Sequence, residues 1–312
     1  MLLLLVFLMV LPLFLLWKHR VNGGKLLPPG PPGLPLIGNL HQLERSATHR
    51  YLWHLSKQYG PLMFLRLGFE PILVVSSPRT AEVMKTHDPE FSSRPSLLAL
   101  QKLSYNGLDL AFASYGTDTV TATMVWTMTA LMKNPRVMKK AQKEVRTLVG
   151  EKCFVDEDDI QKLTYMKALV KEIMRLYPAA PLLIPRETLQ KCNIDGYEIP
   201  SKTLVFVNAW AIGRDPESWE NPEEFMPERF LGTCIDFKGQ DYKLIPFGAG
   251  RRIWPGMNLG AVTVELALAN LLYSFDWEMP AGMKMEDIDT DAKPGLTMTK
   301  KNDLYLVARN YI

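Results

Sequence analysis

Residues 246–260, PFGAGRRIWPGMNLG, constrain this chain more than any other stretch. Gly248, Gly250 and Gly256 permit backbone conformations that other residues avoid, so the stretch reads as a loop. Pro255 fits the first position of a helix, where its missing N–H costs nothing. The apolar run over residues 261–272 then predicts a buried helix. Position 254 therefore projects from a loop into the field of a helix N-terminus, a setting that suits an anionic ligand. A thiolate there would be stabilised and open to a metal. The residue present is Trp254, whose indole N–H is a donor only and offers a metal no lone pair. A phosphate loop fits poorly, because neither G-x-x-x-x-G-K-[ST] nor a complete G-x-G-x-x-G is present.

The 312 residues allow one large domain or two ordinary ones. A net charge of +3 without a dense basic stripe gives no case for a nucleic-acid partner. Cys153, Cys192 and Cys234 are odd in number and widely spaced, so they form no disulfide framework and no zinc spacing, and they fit a reducing compartment. Residues 2–17 are apolar, interrupted by Pro12 and followed by Lys18, His19 and Arg20. That is slightly short of the ~20 residues that span a bilayer, with Trp17 and the basic residues placed for the interface. No positive segment precedes the run and no A-x-A-like site follows it, so an uncleaved anchor over residues 1–20 is expected rather than a secretory peptide. The C-terminal positive flank puts the rest of the chain on the cytosolic side. Residues 21–40 are rich in proline and glycine and read as a stiff hinge.

The remainder, residues 41–312, predicts a mainly helical domain with a small β-rich part. Helices are expected over 51–59 and 79–86, with strands at 62–67 and 71–75 between them. Further helices are expected over 117–133, ended by Asn134-Pro135, over 135–149 with a basic solvated face, and over 156–177, ended by Pro178. A β-branched strand follows at 203–211, then a loop from Gly213 to Phe230, and short strands and turns close the chain after Asp276. Glu172 and Arg175 stand at i and i+3 on one helix face. Taken alone, such a pair is usually a surface ion pair of small worth. Asp118 and Thr119 near a helix start are, on residue type alone, capping residues.

As a set and in this order, these motifs resemble the haem-thiolate monooxygenases, the cytochrome P-450 family. Phe247-x-x-Gly250-x-Arg252-x-x-x-Gly256 is similar to the family's haem-binding loop, and there the residue at position 254 is the cysteine that holds the iron. The resemblance implies a cytochrome P-450-like fold and heme as cofactor, with Phe247, Gly250, Arg252, Gly256 and Arg186 at the haem, the two arginines on its propionates. It makes Glu172, Arg175 and the Arg229 of Pro227-Glu228-Arg229-Phe230 a structural triad. It gives Asp118 and Thr119 the delivery of protons to bound oxygen. The wording of residues 175–229 is most similar to plant microsomal members, which implies the endoplasmic reticulum membrane and an NADPH-dependent reductase as partner. Residues 108–116 resemble the start of the haem-covering region, whereas residues 116–119 resemble the middle of the oxygen-activating helix. A central block of the family pattern is therefore absent, with a junction near 114–118, and the fold is expected to be incomplete.

Two functional readings stay open. The first is a membrane-bound monooxygenase that inserts oxygen into a small apolar substrate. The second is a catalytically inactive, membrane-anchored remnant. A thiolate ligand pushes electron density onto the iron, and Trp254 cannot do so. No histidine lies beyond His87 to replace the ligand, and the surroundings of Cys234 do not resemble a thiolate site. On chemistry the second reading is favoured.

Overall fold

The computed structural model describes residues 27–44, 47–93, 95 and 113–311. The expected anchor lies outside them, and no helix among the described residues is long and apolar enough to cross a membrane. The end of the expected hinge is not a free spacer. Leu34 and Gly38 pair as an antiparallel bridge, and Asn39 is buried, donating to Pro31 O at 3.0 Å and accepting from Arg66 N at 2.9 Å. One buried amide thus ties residues 31–39 to the first strand.

Helix α1 (Thr48–Tyr59) leads into strands β1 (Leu62–Leu67) and β2 (Glu70–Val75), a hairpin with Leu67 opposite Glu70. Helix α2 (Pro78–Thr86) follows, with proline at its first residue, where no N–H is required. Helix α3 (Ala113–Lys133) begins before the expected start and runs unbroken through positions 114–118. Helix α4 (Pro135–Val149) buries Val137, Met138, Ala141, Gln142, Val145 and Val149 and leaves Lys139, Lys140 and Lys143 exposed, the amphipathic pattern its sequence dictates.

The stretch expected as one helix over 156–177 is two. The short α5 (Glu157–Ile160) opens with a capping box, Asp159 N donating to Asp156 Oδ1 at 3.0 Å and Asp156 N to Asp159 Oδ2 at 3.4 Å. It ends where Lys162 N and Leu163 N donate three residues back, to Asp159 O at 2.9 Å and Ile160 O at 3.1 Å, and α6 (Thr164–Leu176) restarts after Leu163. Strands β3 (Arg186–Glu187), β4 (Cys192–Ile194), β5 (Tyr197–Ile199) and β6 (Leu204–Val207) come next. The expected strand over 203–211 stops at Val207, because the Asn208 side chain accepts from Ala211 N at 3.1 Å and opens the helical turn α7 (Ala209–Ile212). Helix α8 (Met257–Ser274) is followed by β7 (Phe275–Glu278), which pairs antiparallel with β8 (Val307–Asn310).

Helices α3, α4, α6 and α8 share the main apolar core, in which Leu131, Leu169, Ile173, Leu268 and Leu272 are wholly buried. Beside it lies a four-stranded sheet of order β1-β2-β6-β3. Its β2–β6 pair is parallel, Ile72 opposite Leu204 and Val75 opposite Val207. That pairing joins the part of the chain before the expected junction to the part after it. A third cluster links α3 to the C-terminal segment: Trp126 stacks on Tyr177 at 4.7 Å and donates from Nε1 to Met298 O at 2.6 Å.

His49 sits under this cluster, 7% exposed and 5.3 Å from the Trp210 ring. Burial, with Arg50 and Arg214 nearby, lowers its pKa from 6.5 to about 4. The unfolded chain therefore binds the extra proton between those values. Stability is full above pH 6.5 and falls as the pH drops towards 4, by roughly 3 kcal/mol from this one group. Urea unfolding at pH 7 and pH 4.5 checks this: His49→Gln is expected to show a smaller loss over that interval than the parent.

Candidate cofactor site

Glu172 and Arg175 have side chains with no exposure at all, and that of Arg229 is 7% exposed. The carboxylate accepts two bonds from Arg175, Nε to Oε2 at 2.7 Å and Nη2 to Oε1 at 2.8 Å, and a third from Arg229 Nε at 3.1 Å. Met226 N donates to the same Oε1 at 2.8 Å. The remaining guanidinium hydrogens go to main-chain carbonyls. Arg175 reaches Gly213, Pro222 and Glu224, and Arg229 reaches Glu220 and Asn221. Two positive charges and one negative, each with its hydrogen bonds filled, fix the course of residues 213–230 against α6. This loop is what leads the chain towards residues 246–254.

Within that loop Gly250 opens a short 3-10 turn, Gly250–Arg252, and Gly256 caps α8. The sequence placed Pro255 at the first position of this helix; it lies two residues before α8 instead, and Gly256 takes the cap. The Trp254 N–H donates to Phe247 O at 2.9 Å, so it closes the loop on itself. The indole lies stacked on Phe247, with centroids 5.6 Å apart and planes 18° from parallel, and Phe247 meets Phe237 edge-on at 5.5 Å. An aromatic ring thus covers the helix N-terminus that the sequence offered to an anion.

The two arginines expected at a carboxylate are placed around this loop, and each has a partner from the chain. Arg186 is buried; it donates from Nη2 to Ala249 O and pairs with Asp88 through Nη1 at 3.7 Å. Burial lowers its pKa, and the Asp88 carboxylate works against that. Arg252 is exposed and donates from Nε to Ser92 O at 2.5 Å. Asp88 also accepts from Arg251 N at 3.1 Å and Arg251 Nε at 3.1 Å. Sequence reasoning passed over Asp88 and Ser92. The local sequence carries no signal of a carboxylate that finds its arginines, Arg186 and Arg251, 98 and 163 positions away.

Asp118 and Thr119 do not share a face. Thr119 is half-buried and, with Thr123, Met174, Phe247, Trp254 and Val264, lines a cavity of about 30 Å³. Asp118 is exposed and borders an open groove of about 640 Å³ between α3 and residues 293–306, floored by Leu271, Trp277 and Leu304. Adjacent helical positions point ~100° apart, which is why a consecutive pair cannot serve one small cavity. Among the described residues no cluster of His, Cys, Asp and Glu could hold a metal ion.

The fold is that of a known structural class. A zebrafish cytochrome P-450, solved with abiraterone, superposes with a TM-score of 0.71 over 84% of this chain and 99% of that one, at 20% sequence identity. The cytochrome P-450 family model matches residues 28–115 and 109–307, two segments that meet at 109–115. A 6,7,8-trihydroxycoumarin synthase of Pastinaca sativa is 36% identical, the alignment covering 96% of each protein. A 5-OH-xanthotoxin synthase of Ammi majus is 35% identical, with 95% of each covered. The chain belongs to the cytochrome P-450 family. The first of these alignments runs over 485 positions against a chain of 312, so a long stretch of the relative faces no residue here.

The family implies haem, and the residues here do not fit it. The ligand position holds an indole without a lone pair. Both candidate propionate arginines are engaged by the chain. Between α3 and the loop there is about 30 Å³ of space, where small-molecule and cofactor pockets take roughly 300–1,000 Å³.

The ion cluster is intolerant of partial removal. Arg175→Met takes two of the four hydrogen bonds from the buried Glu172 carboxylate and leaves three carbonyls short of a donor, and is expected to cost about 3–5 kcal/mol. Urea unfolding followed by far-ultraviolet circular dichroism measures it; a loss under 1 kcal/mol would mean that the cluster does not order the loop.

Proposed function

We propose that this chain is a catalytically silent, membrane-anchored member of the cytochrome P-450 family, without haem-thiolate chemistry of its own. The observation that carries this reading is Trp254, stacked on Phe247 where an oxygenase needs a sulfur. The confined space beside Thr119 and the separation of Asp118 from Thr119 support it. The two-part family match supports a second, separate loss near positions 114–118, which α3 bridges as one helix. The anchor at residues 1–20, followed by the proline- and glycine-rich stretch, keeps this protein at the endoplasmic reticulum membrane, with the folded domain facing the cytosol.

The oxygenase reading has its own support in the intact ion cluster, in Gly250, Arg252 and Gly256, and in relatives named as a trihydroxycoumarin synthase and an OH-xanthotoxin synthase. On that reading an NADPH-dependent reductase would supply electrons, and a small apolar substrate would take one oxygen atom. The Trp254 indole leaves the chain no thiolate with which to begin.

Full-length protein purified from haem-replete cells decides between the two. The reduced, carbon-monoxide-bound absorption spectrum is expected to show no thiolate-type Soret band. Such a band at one haem per chain would establish the oxygenase reading.

A further inference from the structure

We propose that the Trp254 indole is the built-in occupant of the ancestral cofactor space, a side chain that completes the loop and makes the fold independent of haem. This rests on the reading of the site as non-catalytic and adds a structural role for the residue that abolishes the chemistry.

The ring is held from both sides. Phe247 stacks on one face. On the other side, the bare backbone of the first helical turn approaches so closely that a Cβ at Gly256 would come within 3.0 Å of the indole Cζ2, and one at Gly260 within 3.2 Å of Cζ3. A side chain at either position would press on the ring by a few tenths of an ångström. The main chain closes at the same point, through the 2.9 Å bond from Trp254 N to Phe247 O. What remains between the ring and Thr123, Met174 and Val264 is about 30 Å³, room for a water or two. At the rim, Asp88 already supplies Arg186 with a carboxylate, and Arg252 donates to Ser92 O. Steric fit, main-chain closure and charge pairing are thus all met from within the chain.

Two consequences separate this from a simple missing ligand. Restoring cysteine at 254 supplies a sulfur but removes the packing, so it does not restore haem uptake. Truncating to alanine leaves an apolar, ring-shaped space, and such spaces stay dry and accept small flat apolar molecules.

The test uses the full-length protein in detergent as parent, Trp254→Cys, Trp254→Phe and Trp254→Ala. Hemin titration is followed in the Soret region, and thermal unfolding is recorded with and without millimolar indole. Trp254→Cys is expected to take up no stoichiometric haem. Trp254→Ala is expected to melt roughly 5 °C or more below the parent and to recover part of that loss, saturably, with indole, whereas the parent does not respond. Trp254→Phe, which keeps a flat ring on Phe247, retains most of the parent's melting temperature. Uptake of one haem per chain by Trp254→Cys with a rise in melting temperature overturns the proposal, and leaves the parent's lack of thiolate chemistry standing. An equally deep loss in Trp254→Phe and Trp254→Ala, or an alanine variant as stable as the parent, also overturns it.

Discussion

A buried carboxylate between two guanidinium groups is the constraint on which the rest of this structure depends. Glu172, Arg175 and Arg229 are out of water, and they are tolerable there only because both guanidinium groups face the one carboxylate and because backbone carbonyls and an N–H take up further bonds. The bonds run from α6 to residues 213–226, so the path of an irregular loop is set by charge rather than by secondary structure. That segment is held by an interaction involving neither iron nor any ligand.

On the proposed reading, that independence is how a family scaffold persists without the family's chemistry. A haem-thiolate centre needs a sulfur on the iron and space for the macrocycle. Here the position of the sulfur holds an aromatic ring, the ring rests on a glycine-lined helix end, and the arginines turn inward to Asp88, Ala249 and Ser92. None of these contacts disturbs the ion cluster. The parallel pairing of β2 with β6 holds the two halves of the chain in one sheet despite the long stretch that relatives have and this chain lacks.

What the sequence revealed follows from how local each signal is. The amphipathic α4 was legible because its period and its Asn-Pro boundary are contained in fifteen residues. The glycine loop and the buried α8 were legible for the same reason, although Gly256 displaced Pro255 from the helix start. The break between α5 and α6 was not, since it rests on two tight main-chain bonds, Lys162 N to Asp159 O and Leu163 N to Ile160 O, in a stretch with no glycine or proline to announce it. Strand β6 ended early because Asn208 prefers to cap α7. The pairing of Asp88 with Arg186 and Arg251 joins distant positions and leaves no local trace. Asp118 and Thr119 were grouped by adjacency, the one spacing that a helix sends to different faces.

The central claim, that this fold closes around its own tryptophan and has no place for haem, is tested most directly by linkage. A ligand that binds the native state raises the melting temperature in proportion to how far its concentration exceeds its dissociation constant. Thermal unfolding of the full-length parent protein, scanned without hemin and with a several-fold excess of it, should give the same melting temperature. A saturable rise at one hemin per chain would contradict the account.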